Sequence, residues 1–268
     1  MNTANGRPHQ ARKRFGQNFL HDPLILHRMV EAIAPQADDM VVEIGPGKGA
    51  LTLPLLERLD RLTAIELDRD LIPLLEKTAA SNTLELIQAD ALQLDFHGLK
   101  KTDKKLRIVG NLPYNISTPI LFHLASFSDI IEDVHVLLQK EVADRIHAAP
   151  GSKSYGRLSV MMQYHFDTCI LFNVGCGAFT PAPKVESSFI RLSPHAMPSV
   201  DIQHPELLSR LLSAAFSQRR KTLGNSLKQL LTAAQIQQAG IDPGRRAETL
   251  SLQEFAALTH MLESTPSV

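Results

Sequence analysis

Apolar positions along the chain alternate between helical spacing and short continuous runs. Residues 23–34 (PLILHRMVEAIA) place Leu24, Met29 or Val30, and Ile33 on one helical face, with Pro23 at the start, where a helix tolerates it. Met40 to Gly45 is a short apolar run that reads as a strand and leads into Pro46-Gly47-Lys48-Gly49. The segment 51–59 (LTLPLLERL) has helical spacing but carries Pro54, which predicts a kink. The alternation then repeats, with strands over 62–66, 84–88, 106–110 and 134–138 and helices over 69–80, 118–126 and 141–147. Strands separated by helical segments predict a parallel sheet with helices on both faces. Residues 158–174 and 185–192 are richer in strand signal and predict an antiparallel edge. Ser193 to Pro198 (SPHAMP) reads as a boundary, and 204–268 is helical in pattern, broken at Gly240 and at Asp242-Pro243-Gly244. The expected organisation is an α/β domain over 1–195, opening with a basic irregular arm over 1–21, and a small all-α domain over 196–268.

Composition supports a folded chain. Hydrophobic residues make up 44% of 268, enough for a sizeable core. Formal net charge is zero, from 28 Lys and Arg against 28 Asp and Glu, which by itself argues against a dominant nucleic-acid partner. The distribution says otherwise. Arg7, Arg12, Lys13 and Arg14 all precede the first acid, Asp22. Lys100, Lys101, Lys104, Lys105 and Arg107 surround a single Asp; Arg219-Arg220-Lys221 are contiguous and Arg245-Arg246 follow. Such patches suit phosphate contacts, and each also reads as a solvated face. Cys169 and Cys176 lack metal-ligand spacing and build no disulfide framework, which suits a reducing cytoplasm. The eleven His are scattered, so no metal site is expected. There is no secretory h-region and no apolar run near the ~18 residues of a membrane span.

Chemistry concentrates at the ends of the expected strands. Glu43-Ile44-Gly45-Pro46-Gly47-Lys48-Gly49 follows the first of them, and glycines there let the backbone turn tightly and approach a ligand. Glu66 ends the second strand, where a carboxylate can accept both hydroxyls of a ribose. The spacing G-x-G-x-G is one residue shorter than that of a dinucleotide fingerprint, which favours a nucleoside cofactor without a pyrophosphate. Asp90 ends the third strand and reads either as an acceptor for an adenine amino group or as a helix N-cap. Arg107 to Thr118 (RIVGNLPYNIST) ends the fourth. Asn111 supplies a carbonyl acceptor, Leu112-Pro113 a main-chain carbonyl without a competing donor, and Tyr114 a π-face. Together these suit a flat ring bearing an amino group; the bland alternative is a capped turn with a core Tyr.

The Asn-Leu-Pro-Tyr run resembles motif IV of N6-adenine methyltransferases, with Leu112 in place of the commoner Pro, and the glycine turn resembles motif I of S-adenosylmethionine-dependent methyltransferases. KRFGQNFLHD (13–22), AIELDRDL (64–71), LLQKEVADRI (137–146), YGRLSVMMQ (155–163), FTPAPKVESSFIRL (179–192), FSQRRKTLGNSL (216–227) and RRAETLSLQEF (245–255) extend the likeness over nearly the whole chain. The family resembled is the small-subunit ribosomal RNA dimethyladenosine transferases. The resemblance implies a class I methyltransferase fold, Rossmann-like with a seven-stranded, mostly parallel sheet, and an RNA-binding helical C-terminal domain. It implies S-adenosylmethionine as cofactor, with Gly45, Gly47, Glu66, Asp90 and Asn111 around it and Asn18 and Leu20 closing over its methionyl end. It implies that Phe179 sits opposite Tyr114 to sandwich the target adenine, and that Arg219, Arg220 and Lys221 meet RNA. The implied substrate is two adjacent adenosines near the 3′ end of 16S rRNA in an assembling 30S subunit, with the enzyme also a biogenesis factor in the cytoplasm; a monomer is the simpler expectation. The rivals are a 23S rRNA dimethyltransferase, disfavoured by the Arg246–Ser251 segment and the full helical domain; a non-catalytic RNA-binding or transcription factor, disfavoured by intact Gly45, Glu66, Asp90, Asn111 and Tyr114; and an NAD-linked oxidoreductase, disfavoured by the glycine spacing.

Overall fold

The computed structural model describes residues 18–78, 83–218 and 220–264. The basic arm ahead of Asn18, and Arg219, lie outside the described residues. The chain divides into two compact units, one running to Ala143 and resuming at Thr168–Pro194, the other made of Asp144–Asp167 and the segment from His195 onward. The second unit therefore takes in residues 144–167, which a boundary at 195 assigns to the sheet domain.

The first unit is built on a seven-stranded sheet. Its strands are β2 (Met40–Ile44), β3 (Leu62–Glu66), β4 (Leu84–Gln88), β5 (Leu106–Asn111), β6 (Ile131–Gln139), β7 (Phe166–Val174) and β9 (Ser187–Pro194), in the order β4-β3-β2-β5-β6-β9-β7. A two-stranded sheet joins β1 (Phe19–Leu20) to β8 (Phe179–Thr180). Strands β2 to β6 pair in parallel and β6 pairs antiparallel with β9. Strand order reverses between β2 and β5, and in such sheets ligands bind off the carboxyl ends of the strands at that point. At that crevice β2 and β5 nearly touch: a Cβ on Gly110 would lie 2.5 Å from the Ile44 carbonyl oxygen.

Helix α1 (Pro23–Ile33) starts on Asp22, whose Oδ1 accepts from Leu24 N at 2.9 Å and Ile25 N at 3.2 Å. It buries Met29, Val30 and Ile33 against Val41, Leu55, Leu62, Val109, Leu137 and Phe189. Leu24, expected on the buried face, is 74% exposed, because it lies in the first turn, beyond the packed stripe. The C-terminal carbonyls of α1 are held by Arg107, whose guanidinium reaches Ile33 O at 2.6 Å, Asp39 at 2.6 Å and Asp133 at 2.8 Å. Arg107 is thus a part-buried tie, and Lys101 and Lys104 of the same basic run pair with Glu85 and Asp38. Three of the five cations of the run are thus paired with carboxylates.

Two expectations about elements change. Helix α2 is only Thr52–Leu56, and Pro54 falls in its first turn, where its missing N–H breaks no ladder and produces no kink. Of residues 158–174, expected as strand, 158–165 lie instead in a helix, α6 (Arg157–His165), which follows α3 (Ile72–Thr78), α4 (Ser117–Ala125) and α5 (Lys140–Ile146). Leu158, Ser159, Val160, Met161, Met162 and Tyr164 are all buried, so α6 is covered nearly all round and shows no helical periodicity. In the second unit α6 packs on α7 (Pro205–Ala215) and α10 (Leu252–Glu263), with α8 (Leu223–Ser226) and α9 (Ala233–Gln238) between them in sequence. Thr232 and Ser251 open α9 and α10 with reciprocal side-chain and backbone bonds to Gln235 and Glu254. Arg245 is bound to Glu254 and to the Thr249 carbonyl at 2.8 Å, while Arg246 is exposed. Among the described residues no helix is long and apolar enough to cross a membrane.

Candidate active site

The turn after β2 takes a path that only glycines follow without strain, with φ +69° at Gly45 and +60° at Gly47. Gly47 N donates to Glu66 Oε2 at 3.1 Å and Asp68 N to Glu66 Oε1 at 2.8 Å. These bonds fix the carboxylate at the end of β3 against the turn. Each oxygen keeps a second lone pair, which is the pair of acceptors a ribose diol needs. Burial pushes the Glu66 carboxyl up, and the backbone N–H groups of Asp68, Gly47 and Leu67 oppose that.

A cavity of about 640 Å³ opens here, of a size that takes a nucleoside cofactor. Its wall includes Asn18, Leu20, Gly45, Gly47, Glu66, Asp90 and Asn111 through Tyr114. Every expected cofactor residue is therefore brought together. Leu67 is 49% exposed although apolar, because it faces this cavity beside Asp90, and it gives a flat ring something to lie on. Asp90 caps a turn and no helix follows it: Oδ1 accepts from Leu92 N at 3.0 Å, and the residue lines the cavity. A chamber of this size, a carboxylate with two lone pairs to give and an apolar shelf beside a second carboxylate fit S-adenosylmethionine.

Glu43 sits behind the glycine turn, fully enclosed, with Thr52 Oγ1 donating to its Oε2 at 2.7 Å. Burial pushes its carboxyl up to about 8, with the nearby Glu66 adding to the rise. A carboxyl that stays protonated in the fold while the unfolded chain ionises near 4.5 withdraws stability as pH rises through that window. Glu43→Gln should therefore gain on the wild type by about 1.4 kcal/mol between pH 6 and pH 7. Urea unfolding at both pH values checks this; an unchanged difference would mean that Glu43 is already ionised.

At the end of β5 the Asn111 side chain is turned by its surroundings. Its Nδ2 donates to the Asn18 carbonyl at 2.9 Å, and since a carbonyl only accepts, Oδ1 is left as the acceptor the side chain presents. Leu112 N is spent on the Leu137 carbonyl at 3.2 Å, the Pro113 carbonyl accepts from Ile116 N at 3.1 Å, and the Tyr114 carbonyl accepts from Ser117 Oγ at 3.1 Å. Among the described residues nothing donates to the Leu112 carbonyl. Two acceptors, Asn111 Oδ1 and Leu112 O, thus belong to residues that line the cavity together with Tyr114, whose hydroxyl bonds Ser187 Oγ at 2.7 Å. Burial raises the Tyr114 hydroxyl, so the phenol stays neutral at ordinary pH.

Strand β1 closes one side of this chamber. Leu20 pairs with Phe179, His21 N donates to the Ala178 carbonyl at 2.9 Å, and the Phe19 ring lies where a Cβ on Gly47 would meet it at 3.2 Å. The Lys48 ammonium sits 4.6 Å over the same ring. Asn18 acts through its main chain, a role its side-chain type does not announce. Phe179 is not brought to the cavity wall: it is 3% exposed and packs in the core with Leu20, Val174 and Ala178, and Thr180 lines the cavity in its place. Arg220 and Lys221 are exposed in the second unit, in the loop after α7. Residue types alone do not reveal Phe19, Leu67, Gly110 and Ser187, because each acts through where the fold puts it.

Residues 8–264 match the model of the family described as ribosomal RNA adenine dimethylase. A relative from Nitrosococcus oceani, the ribosomal RNA small subunit methyltransferase A, is 55% identical over 254 residues, 94% of this chain and 96% of that one. The protein of the same name from Pseudomonas aeruginosa is 52% identical over 96% of this chain and 97% of its own length. Among solved structures, a dimethyladenosine transferase from Plasmodium falciparum aligns with a TM-score of 0.73 at 26% identity, over 90% of this chain and 95% of that one. The 23S rRNA methyltransferase ErmE aligns at 0.67 and 25% identity, over 92% of this chain and all of its own. By its sequence over nearly its full length, the chain belongs to the ribosomal RNA adenine dimethylase family.

Proposed function

We propose that the protein dimethylates N6 of two adjacent adenosines near the 3′ end of 16S rRNA, using S-adenosylmethionine held in the chamber between β2, β3, β4 and β5. The observation that carries this reading is the pair of acceptors, Asn111 Oδ1 and Leu112 O, on residues that share the cavity wall with Tyr114. An adenine N6 is a poor nucleophile because its lone pair is delocalised into the ring. Two acceptors on its N–H bonds draw the nitrogen toward tetrahedral geometry and stabilise the positive charge that grows as it attacks. When bound, S-adenosylmethionine supplies a methyl on sulfur, and the C–S electron pair stays on sulfur as the N–C bond forms. The N6 proton then leaves to water, so the chain needs no strong base. Tyr114 offers the stacking face, and Phe179 joins it only if its ring leaves the core. Glu66, Asp90 and the glycine turn hold the nucleoside half, with Asn18 and Leu20 at the methionyl end.

Curated relatives at half identity or more carry the small-subunit name, which favours 16S over 23S rRNA. We take the working substrate to be an assembling 30S particle and the enzyme to be a cytoplasmic monomer that also serves subunit assembly. Labelled methyl transfer to undermethylated 30S particles, set beside 23S rRNA, tests the substrate; preferential labelling of 23S rRNA would overturn it.

The helical unit is the RNA-binding part of this reading, through Arg220 and Lys221 and the contiguous Arg219. Reversing Arg220 and Lys221 to Glu should weaken RNA binding and flatten its logarithmic salt dependence by about 0.7–0.9 for each phosphate no longer neutralised, with cofactor affinity unchanged. An unaltered salt slope would remove these residues from the interface.

A further inference from the structure

Tyr114 is held at both ends. Its backbone is closed into a turn by the Ser117 Oγ and Ile116 N bonds, each 3.1 Å. At the far end of the ring, its hydroxyl meets Ser187 Oγ at 2.7 Å. Ser187 opens β9, sits opposite Gln139 of β6 and is 0% exposed, and the Glu186 carbonyl beside it accepts from Lys140 N at 2.9 Å. The next residue, Ser188, is equally buried but points the other way, as strand alternation requires, and donates to Asn173 Oδ1 at 2.8 Å. A hydroxyl buried in a sheet persists where it is hydrogen-bonded, and that of Ser187 bonds Tyr114. A tyrosine fixed at its backbone and at its hydroxyl has little rotamer freedom left, so its face becomes a preorganised platform.

We propose that Ser187 is a positioning residue that holds the Tyr114 ring as the stacking platform for the target base, and that its influence falls mainly on the second of the two methyl transfers to each adenosine. The inference rests on the functional reading above. The unmodified base brings two N6–H bonds, one for Asn111 Oδ1 and one for the Leu112 carbonyl. After the first transfer N6 carries one methyl and one hydrogen, so one acceptor loses its donor. The monomethylated base is then held by a single hydrogen bond and by stacking. Looseness in the ring is tolerated when two hydrogen bonds orient the amine and is not when one remains. The second transfer has the same balance as the first: the N6 lone pair takes the methyl, the C–S electrons stay on sulfur, and the last N6 hydrogen leaves as a proton to water.

Single-turnover methylation of undermethylated 30S particles, with mono- and dimethyladenosine counted by nucleoside mass spectrometry, tests this on Ser187→Ala, Ser187→Thr, Tyr114→Phe and the Ser187→Ala/Tyr114→Phe double variant. Calorimetry of S-adenosylmethionine binding and thermal melting are run on each. The expected result is that Ser187→Ala slows the second transfer by about tenfold and the first by about threefold or less, so that N6-monomethyladenosine accumulates. Cofactor affinity stays within about twofold of wild type. Tyr114→Phe gives the same pattern, the double variant is no worse than Tyr114→Phe alone, and Ser187→Thr restores dimethylation. Equal slowing of both transfers, multiplying effects in the double variant, or lost cofactor binding in Ser187→Ala would each overturn the role given to Ser187 while leaving wild-type dimethylation intact. Wild-type protein that binds cofactor but methylates no 30S particle would overturn the functional reading, and this inference with it.

Discussion

Asn111→Ala lowers methyl transfer by about 10²–10³-fold, the loss typical of removing one preorganised group aimed at developing charge. Its Oδ1 is aimed because Nδ2 is pinned to the Asn18 carbonyl. Cofactor affinity changes by no more than about tenfold, since at most one hydrogen bond to the ground state is removed. Asn111→Asp separates orientation from acceptor strength. A carboxylate is the better acceptor, but it has no N–H for Asn18, so two oxygens would face each other where one bond now holds β1. The aspartate variant is therefore expected to be slower than wild type and to bind cofactor less tightly. Single-turnover rates with calorimetry read both; an aspartate variant as fast as wild type would show that the Asn18 contact does not orient the amide.

Gly110→Ala is expected to cost both stability and activity. A Cβ there would lie 2.5 Å from the Ile44 carbonyl oxygen and 3.4 Å from Ile44 C and N, all backbone atoms of the neighbouring strand. No side chain can swing away, so β5 and β2 must separate at the point where Gly45 and Asn111 leave them. Overpacking of this kind costs about 3 kcal/mol, which for a chain of this size lowers the melting temperature by about 6–12 °C. Displacing Asn111 by a fraction of an ångström costs up to about 10²-fold in rate. Gly98→Ala is the control, because a Cβ at Gly98 meets nothing within 4 Å. If Gly110→Ala melts and turns over like Gly98→Ala, the close approach of the two strands is not what places the amide.

The parallel core was legible because β2 to β6 are short, β-rich apolar runs, each followed by a polar or glycine-containing turn. That Gly45, Glu66, Asp90 and Asn111 would share one cavity was legible because chemistry at successive strand ends falls at one rim once the strands are parallel. What hid the rest was burial on all sides and reach through the main chain. Helix α6 is enclosed, so its apolar run lost the helical period and passed for a strand. Asn18 works through its carbonyl and Gly110 through the absence of a Cβ, and neither leaves a residue-type signal. The basic run from Lys100 to Arg107 looked like a phosphate patch because its partners Asp38, Asp39, Glu85 and Asp133 are distant in sequence. The resemblance puts Phe179 opposite Tyr114, whereas in the structure its ring packs in the core.

Adenine N6 chemistry at the Asn111–Tyr114 rim is read directly by one measurement. Undermethylated 30S particles are incubated with the protein and S-adenosylmethionine, the 16S rRNA is digested, and its modified nucleosides are counted by mass spectrometry. Two N6,N6-dimethyladenosines per 16S rRNA are expected from the wild type, with a loss of about 10²-fold or more in their rate of formation with Asn111→Ala. Methyl groups found on another atom or another base, or dimethyladenosine formed as fast by the alanine variant, would contradict this chemistry.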